Sequence, residues 1–177
     1  AKTKRKTAEA TLDTPDLPQA QTLDPIEVIS SRHSLLSNLK QAVHRADQSK
    51  AHFILFFIEF GNLRELLKAN ERLSEKLILT AFTMRIKEGL MEGDILTRQA
   101  QDEFALIVGW VDSAVVALEV VEALRTRIQA PLLINNVAVM LSIRMGFAVY
   151  QVDADTSEEL MKIAARGMFR EKFQSLY

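Results

Sequence analysis

Three carboxylates stand where the sequence predicts that strands end. Glu59 closes a run of apolar residues, and Asp102 and Glu103 lie together between two further apolar runs. Carboxylates that converge at strand ends can hold a divalent metal ion on a nucleoside triphosphate, because Mg²⁺ takes hard oxygen ligands and bridges phosphates. Acidic residues at strand ends and in turns are also often simply solvated. The spacing alone favours the solvated interpretation, and a metal site needs further support.

The hydrophobic pattern predicts the elements that position these residues. A first apolar stripe of helical spacing ends near Asp47, and residues 52–59 are typical of a strand covered on both faces. Helical spacing returns over 62–88. The strand-like pieces 94–99 and 104–109 are separated by four residues and predict a β-hairpin. The pattern then predicts a helix, a strand-rich segment and a last helix, over residues 115–128, 137–150 and 157–172.

This order of elements predicts an α+β domain. Its central part has the split β-α-β-β-α-β order of ferredoxin-like domains, in which a mostly antiparallel sheet is flanked by helices. In that topology the end of the first strand lies beside the turn of the central hairpin. We therefore expect Glu59 to converge with Asp102 and Glu103.

Length and composition limit the class of protein. The 177 residues include 22 basic and 23 acidic side chains and no cysteine. The balanced charge argues against DNA as a partner, because phosphate binding needs a surplus of Lys and Arg on one face. The longest apolar stretch, 53–58, is far shorter than the roughly 20 residues of a membrane-spanning helix. We expect a cytoplasmic globular domain, with no membrane span in this chain.

The N-terminal segment differs in composition from the rest of the chain. Three of the four prolines lie in the first 25 residues, where no aromatic residue occurs. Such a segment cannot form a core, so we interpret residues 1–23 as a flexible tether and 24–177 as the folded domain. A tether before a domain is consistent with a longer, membrane-attached protein.

The hairpin segment 98–104 reads Arg-Gln-Ala-Gln-Asp-Glu-Phe. It resembles Arg-x-Gly-Gly-Asp/Glu-Glu-Phe, the signature of GGDEF domains, the diguanylate cyclase family. Asp24-Pro-Ile with Arg32 resembles the family's opening motif, and 58–63 falls where the family has Asp-x-Asp-x-Phe. Further along the chain, two segments resemble the family motifs Ser-x-Gly-x-Ala and Ala-Asp-x-Ala-Met-Tyr-x-Ala-Lys, namely Ser142 to Tyr150 and Ala165 to Lys172.

This resemblance implies a nucleotidyl cyclase palm fold and a reaction. Family members condense two GTP molecules into cyclic di-GMP, with each of two domains presenting one nucleotide. Carried over to this chain, the resemblance places Glu59 and Asp102 at the metal carboxylates, with Mg²⁺ as the metal if nucleotide is bound. It places Glu103 at the catalytic position beside them and Lys172 at a lysine that contacts phosphate.

The positions that would fit and read guanine depart from the family pattern. Ala100 and Gln101 replace the two glycines of the signature, which puts side chains where a nucleotide would lie. Leu67 and Lys76 stand at the guanine-reading Asn and Asp. Guanine presents N–H donors at these positions, and an ammonium group has donors only. We expect guanine specificity to be lost.

The product site and the first metal ligand depart as well. The family's inhibitory site, Arg-x-x-Asp, matches 91–94, where Asp94 remains and Met91 replaces the arginine that can fork two hydrogen bonds to guanine or phosphate. Glu59 replaces an aspartate, so its carboxylate lies one methylene further out, and Mg²⁺ tolerates little departure from octahedral geometry. We expect any binding of GTP or cyclic di-GMP to be weak.

Two hypotheses follow from these residues. The first is a catalytically inactive GGDEF-like domain that needs no cofactor and serves as a regulatory, dimerisation or partner-binding module in a cyclic di-GMP signalling protein. Its ligand would be a protein partner or a second copy of itself. The second is residual metal-dependent GTP binding or weak diguanylate cyclase activity through Glu59, Asp102, Glu103 and Lys172.

Overall fold

A computed structural model of the protein describes residues 32–174. The predicted tether, 1–23, and the opening motif that begins at Asp24 and precedes Arg32 lie outside the described residues. No helix within the described range is long and apolar enough to cross a membrane. The elements are α1 (Arg32–Ser49), β1 (His52–Phe60), α2 (Leu63–Ala69), α3 (Glu75–Lys87), β2 (Ile95–Ala100), β3 (Glu103–Val111), α4 (Ala114–Gln129), β4 (Leu132–Ile134), β5 (Val137–Val139), β6 (Ile143–Val149) and α5 (Ser157–Gln174).

The main sheet has the strand order β2-β3-β1-β6, and all of its neighbouring strands are antiparallel. This confirms the predicted α+β fold, with the split ferredoxin-like topology and helices on the faces of the sheet. The central strand β1 is buried on both faces, as its nearly continuous apolar run predicts. Its alternate side chains enter two separate cores. Ile54, Phe56 and Ile58 belong to the core under α3 and α4, and Phe53 and Leu55 to the core under α1 and α5.

An aromatic cluster anchors the strand ends that carry the candidate site. The rings of Phe60 and Phe104, which directly follow Glu59 and Glu103, have their centroids 5.6 Å apart. Phe82 of α3 packs edge-on against Phe60 at 4.5 Å. Because neighbouring residues of a strand point to opposite faces, burying these rings directs both glutamates to the α1 and α5 side.

The helical pattern predicted over 62–88 divides into the two helices α2 and α3. Asn70 ends α2 in an extended conformation, and its side-chain oxygen accepts a hydrogen bond from the Arg72 N–H at 3.0 Å. Ser74 then begins α3, because its Oγ accepts from the Leu77 N–H at 3.2 Å. Both residues are typical caps and turn formers, which explains why continuous apolar spacing does not give one continuous helix.

The strand-rich segment predicted over 137–150 also divides, into β5 and β6. Strand β5 pairs with β4 in a separate two-stranded sheet that the sequence analysis did not predict. The turn of this hairpin consists of Asn135 and Asn136, with φ of 49° and 63°. Asparagine is among the residues that adopt positive φ most readily, so an Asn-Asn pair between two short apolar runs was the signal for this hairpin.

Tyr150 links the end of β6 to the C-terminal part of α1. Its buried ring stacks on Phe53 with centroids 5.0 Å apart, and its hydroxyl donates a hydrogen bond to Asp47 Oδ1 at 2.7 Å. Burial of the phenol, followed by the hydrogen bond to Asp47 and the charge of Asp47, raises the pKa of Tyr150 to about 12.

We expect Tyr150→Phe to lower the free energy of unfolding by about 1 kcal/mol at neutral pH, because one side-chain hydrogen bond is lost. The pKa is higher in the folded state than in the unfolded state, where it is about 10. The phenol's contribution is therefore complete below pH 10 and is lost as the pH rises from 10 to about 12. Urea denaturation across this range should show a steeper decline for the wild type than for the variant.

Asp47→Asn is the matched control for this prediction. It keeps an oxygen that accepts from the Tyr150 hydroxyl but removes the negative charge, so its alkaline decline should lie between those of the wild type and Tyr150→Phe. Parallel declines for all three proteins would contradict the role assigned to Tyr150.

Candidate functional site

The three strands β6, β1 and β3 bring a row of charged side chains together at one end of the sheet. Glu59 is the register partner of Glu103 on one side and of Arg144 on the other. Directly opposed residues of antiparallel strands share a face, so the three side chains lie in one row. The structure thus brings Glu59 and Glu103 together, with Asp102 in the adjoining turn, as the topology predicted.

Backbone hydrogen bonds fix the end of β1 to both of its neighbours. The Phe60 N–H donates to the Asp102 carbonyl at 2.9 Å, and the Gly61 N–H donates to the Ser142 carbonyl at 2.6 Å. Asn62 extends the second link, since its amide donates to the Met140 carbonyl and accepts from the Ser142 N–H. The loop between β1 and α2 is therefore held in place at its start.

The two glutamates of this row differ in their electrostatic environment. Burial raises the pKa of Glu103, and the neighbouring charges of Glu59 and then Asp102 raise it further. The negative charge of Glu59 is in contrast paired with a positive charge on the β6 side, because Arg144 Nε lies 3.3 Å from Glu59 Oε2. Arg144 is not among the site residues predicted from the sequence. Its role depends on the register between β1 and β6, which no local motif near residue 144 reveals.

Hydrogen bonds from a buried arginine stabilise the hairpin turn. Arg98 is 6% exposed and donates hydrogen bonds to the Ala100 carbonyl at 3.1 Å, the Gln101 carbonyl at 2.6 Å and Glu75 Oε1 at 3.0 Å. The Gln101 side chain donates to the other oxygen of Glu75 at 2.8 Å. Neither Gln101 nor Asp102 has positive φ. The turn is therefore one that residues with side chains can form, and it is tied to the first turn of α3.

The two positions that match the family's guanine-reading residues hold side chains without a hydrogen-bond acceptor. Leu67 of α2 is partly buried and packs against the apolar core under α3 and α4. Lys76 is exposed in the first turn of α3, directly after the Glu75 that binds the hairpin turn. An aliphatic side chain and an ammonium group offer no acceptor to the N–H groups of guanine.

Asp94 stabilises the fold through hydrogen bonds to the backbone. Its Oδ1 accepts a hydrogen bond from the Gly109 N–H at 3.0 Å, and its Oδ2 accepts from the Met91 N–H at 2.9 Å. In the segment 91–94, which matches the family's product site, Asp94 therefore binds the first residue of the segment and also attaches the segment to β3. Both carboxylate oxygens of Asp94 have backbone partners.

Lys172 lies exposed in the last turn of α5. The preceding residue, Glu171, joins this helix to β6 and α4, because it accepts hydrogen bonds from the Met145 N–H at 2.7 Å and from Arg125 at 2.6 Å. Farther back along α5, a cleft of about 600 Å³ opens towards α1. Phe57 and Glu103 of the sheet line this cleft, so one carboxylate of the charged row borders it.

The three carboxylates at the strand ends form the donor set for the divalent metal that the resemblance implies. Glu59, Asp102 and Glu103 supply the hard oxygen atoms that Mg²⁺ prefers. Among the residues that the structure describes, however, no three acidic, histidine or cysteine side chains are arranged so that they could hold a metal ion. Glu59 is already paired with a guanidinium group. In this arrangement the described residues do not fit a divalent metal ion that is held by protein side chains alone.

Comparisons with known proteins agree with the fold and the motifs. The family model described as diguanylate cyclase, GGDEF domain, matches residues 21–175. Diguanylate cyclase TpbB of Pseudomonas aeruginosa PAO1 is 28% identical over 156 residues, which cover 86% of this chain and 35% of TpbB. The chain therefore spans about a third of the length of this curated relative.

Solved structures show the same similarity. The isolated GGDEF domain of TpbB is 26% identical and aligns over 81% of this chain and 84% of that one, with a TM-score of 0.72. The diguanylate cyclase SiaD of Pseudomonas aeruginosa, solved in complex with its activator SiaC, shares the fold at 17% identity and a TM-score of 0.66, over 81% of this chain and 55% of that one.

Proposed function

Because the chain belongs to the GGDEF domain family of cyclic di-GMP signalling proteins, we propose that it is a catalytically inactive member that acts in the cytoplasm as a regulatory, dimerisation or partner-binding module. One observation carries this proposal. The positions that match the guanine-reading residues hold Leu67, which packs into the core, and Lys76, which has donors only. A site built to pair with hydrogen-bonding groups can lose a factor of about 10⁴ in discrimination when the partners are missing.

The rebuilt hairpin turn supports the same proposal. The turn that offers two glycines in the family carries the side chains of Ala100 and Gln101 here, and Gln101 is bonded to Glu75 of α3. Glycines let a backbone approach a ligand closely, and side chains prevent this. The hairpin therefore contacts its own domain at a place where the family fits a nucleotide.

The exposed surface supports a role in binding another protein. Helix α4 presents Val115 and Leu118, which are 68% and 55% exposed and lie one turn apart, and β4 presents Leu133 at 72%. Large apolar side chains that are exposed side by side, as Val115 and Leu118 are on α4, are a common feature of interaction sites. The structure of SiaD with its activator gives one example of a diguanylate cyclase that binds a protein partner.

Turnover of GTP tests the loss of catalysis. We expect the purified protein, given GTP with Mg²⁺ or Mn²⁺, to release no pyrophosphate and no cyclic di-GMP above a protein-free blank. Full-length diguanylate cyclase TpbB, assayed in parallel, serves as the positive control. A rate within about 10⁴-fold of that control would contradict the proposal, provided that Glu103→Ala abolishes it and so excludes a contaminating enzyme.

A second candidate function is favoured by the convergence of Glu59, Asp102 and Glu103. These carboxylates could still contact a metal-bound triphosphate with altered base preference. Thermal melting with a panel of nucleoside triphosphates distinguishes the two functions, because a ligand at 100 times its Kd stabilises the folded state by about 2.7 kcal/mol. A stabilisation that disappears in Asp102→Ala favours nucleotide binding, and no shift with any nucleotide favours the inactive module.

A further inference from the structure

The ion pair between Arg144 and Glu59 lies at the position where the family motif implies a metal ion. The two residues face each other across β6 and β1, with Arg144 Nε 3.3 Å from Glu59 Oε2. Their side chains are only 16% and 19% exposed. Water screens such a pair much less than it screens a surface ion pair. The pair is therefore part of the interior of the site.

Gly61 makes room for the guanidinium group. A Cβ atom at residue 61 would lie 3.1 Å from Ser142 Oγ, 3.3 Å from Arg144 Cζ and 3.4 Å from one of the terminal nitrogens of Arg144. In the motif Asp-x-Asp-x-Phe, which matches Glu59 to Leu63, residue 61 is the second aspartate. Glycine at this position thus removes a negative charge and leaves the space into which the arginine extends.

Compared with the family motif, Gly61 and Arg144 together make the end of β1 less negative. A second carboxylate is absent, and a permanent positive charge stands beside the carboxylate that remains. Arginine is more weakly hydrated than an ammonium group, which suits it to a half-buried pair. Arg144 Nε is buried and has no hydrogen-bond partner among the described residues, so Glu59 supplies its charge compensation.

We propose that Arg144 is a built-in cation that takes the place of a divalent metal ion at the end of β1. The guanidinium neutralises Glu59 from within the chain and repels a second cation. The strand-end site is thereby assembled at any concentration of Mg²⁺. This inference rests on the proposed function and deepens it, because it explains how an inactive member keeps the architecture of the site without metal or nucleotide.

Removing the guanidinium charge tests the proposal. Arg144→Met keeps most of the side-chain volume and leaves Glu59 near Asp102 and Glu103 without its counter-ion. Melting curves are recorded in EDTA, with MgCl₂ and with MnCl₂, and Mn²⁺ binding is measured by electron paramagnetic resonance. We expect a wild-type Tm that does not respond to either metal. We expect Arg144→Met to melt lower in EDTA, to be stabilised by Mn²⁺, and to bind Mn²⁺ at least about tenfold more tightly than the wild type.

Two further variants serve as controls. Arg85→Met removes another partly buried arginine, one that donates to three backbone carbonyls at the end of α4. It should lower the Tm without creating a response to Mn²⁺. The double variant Arg144→Met with Glu59→Gln should lose the Mn²⁺ affinity that Arg144→Met gains, because the carboxylate that receives the metal is gone.

Two outcomes would overturn the proposal: stabilisation of the wild type by Mg²⁺ or Mn²⁺, and a folded Arg144→Met variant that gains no Mn²⁺ affinity. If that variant is unfolded in EDTA, refolding by Mn²⁺ supports the proposal. Failure to refold, together with no gain of affinity in Arg144→Gln, contradicts it. GTP turnover by the wild type would instead contradict the proposed function, whereas Mn²⁺ binding by the wild type without turnover contradicts only the role of Arg144.

Discussion

Gly146→Ala is expected to destabilise the domain by about 3 kcal/mol or more, the largest effect that we predict for a single methyl group. Gly146 lies in β6 beneath α5. A Cβ atom at this position would clash with the Ala164 carbonyl oxygen and the Met168 amide nitrogen, both in the backbone of that helix. A backbone atom cannot rotate away as the end of a flexible side chain can. The helix itself must move, and the core under α1 and α5 would be opened.

Gly109→Ala is the matched control for this prediction. Gly109 is also a buried strand glycine, but a Cβ atom there would meet nothing within 4 Å. Its hydrogen bond to Asp94 is made by the backbone N–H and survives the change. We expect the free energy of unfolding in urea to change by less than about 0.5 kcal/mol. Similar losses in both variants would show that glycine flexibility, and not the approach of α5, determines the effect.

Arg98→Met is expected to cost about 2 kcal/mol and to loosen the hairpin turn. The variant loses hydrogen bonds to the Ala100 and Gln101 carbonyls and to Glu75 at once. Hydrogen bonds to a charged donor are worth more than neutral ones, and carbonyls left without a partner add a desolvation cost. The ion pair contributes a smaller part of the loss, because Glu75 is 33% exposed and its charge is screened by water.

Two comparisons isolate the role of the arginine. Arg98→Lys keeps the charge but cannot reach two carbonyls and a carboxylate with one ammonium group, so it should recover less than half of the loss. Gln101→Ala removes only the exposed bond to Glu75 and should cost less than about 0.5 kcal/mol. Urea denaturation measures all three variants. An Arg98→Lys variant as stable as the wild type would show that charge alone, without the forked geometry, fixes the turn.

The predicted convergence of Glu59 with Glu103 follows from information that is local in the sequence. Each lies at the end of a strand with a clear apolar pattern, and the ferredoxin-like order then fixes which strands are neighbours. Arg144 has no such local signal. Its position opposite Glu59 depends on the register of a pair of strands that are far apart in the chain, and a shift of one residue would put it on the other face.

The structural roles of other site residues could not be predicted, because a residue of a given type can either bind a ligand or stabilise the fold. Asp94 matches the family's product site in sequence, yet its two oxygens bind backbone N–H groups. Leu67 stands at a position that reads guanine in the family and packs here against the core. A motif match identifies the residue at a position, whereas its hydrogen-bond partners come from segments that the motif does not include.

Glu171 has a consequence for how copies of this domain can associate. In the sheet formed by residues 32–174, β6 is an edge strand. Its Met145 N–H is bonded to the Glu171 side chain, which Arg125 of α4 holds from the other side. Exposed strand edges are the usual templates on which another chain adds a strand. A chain that paired with β6 would first have to displace this carboxylate. Assembly by extending the sheet is thus directed away from β6 and towards the opposite edge at β2.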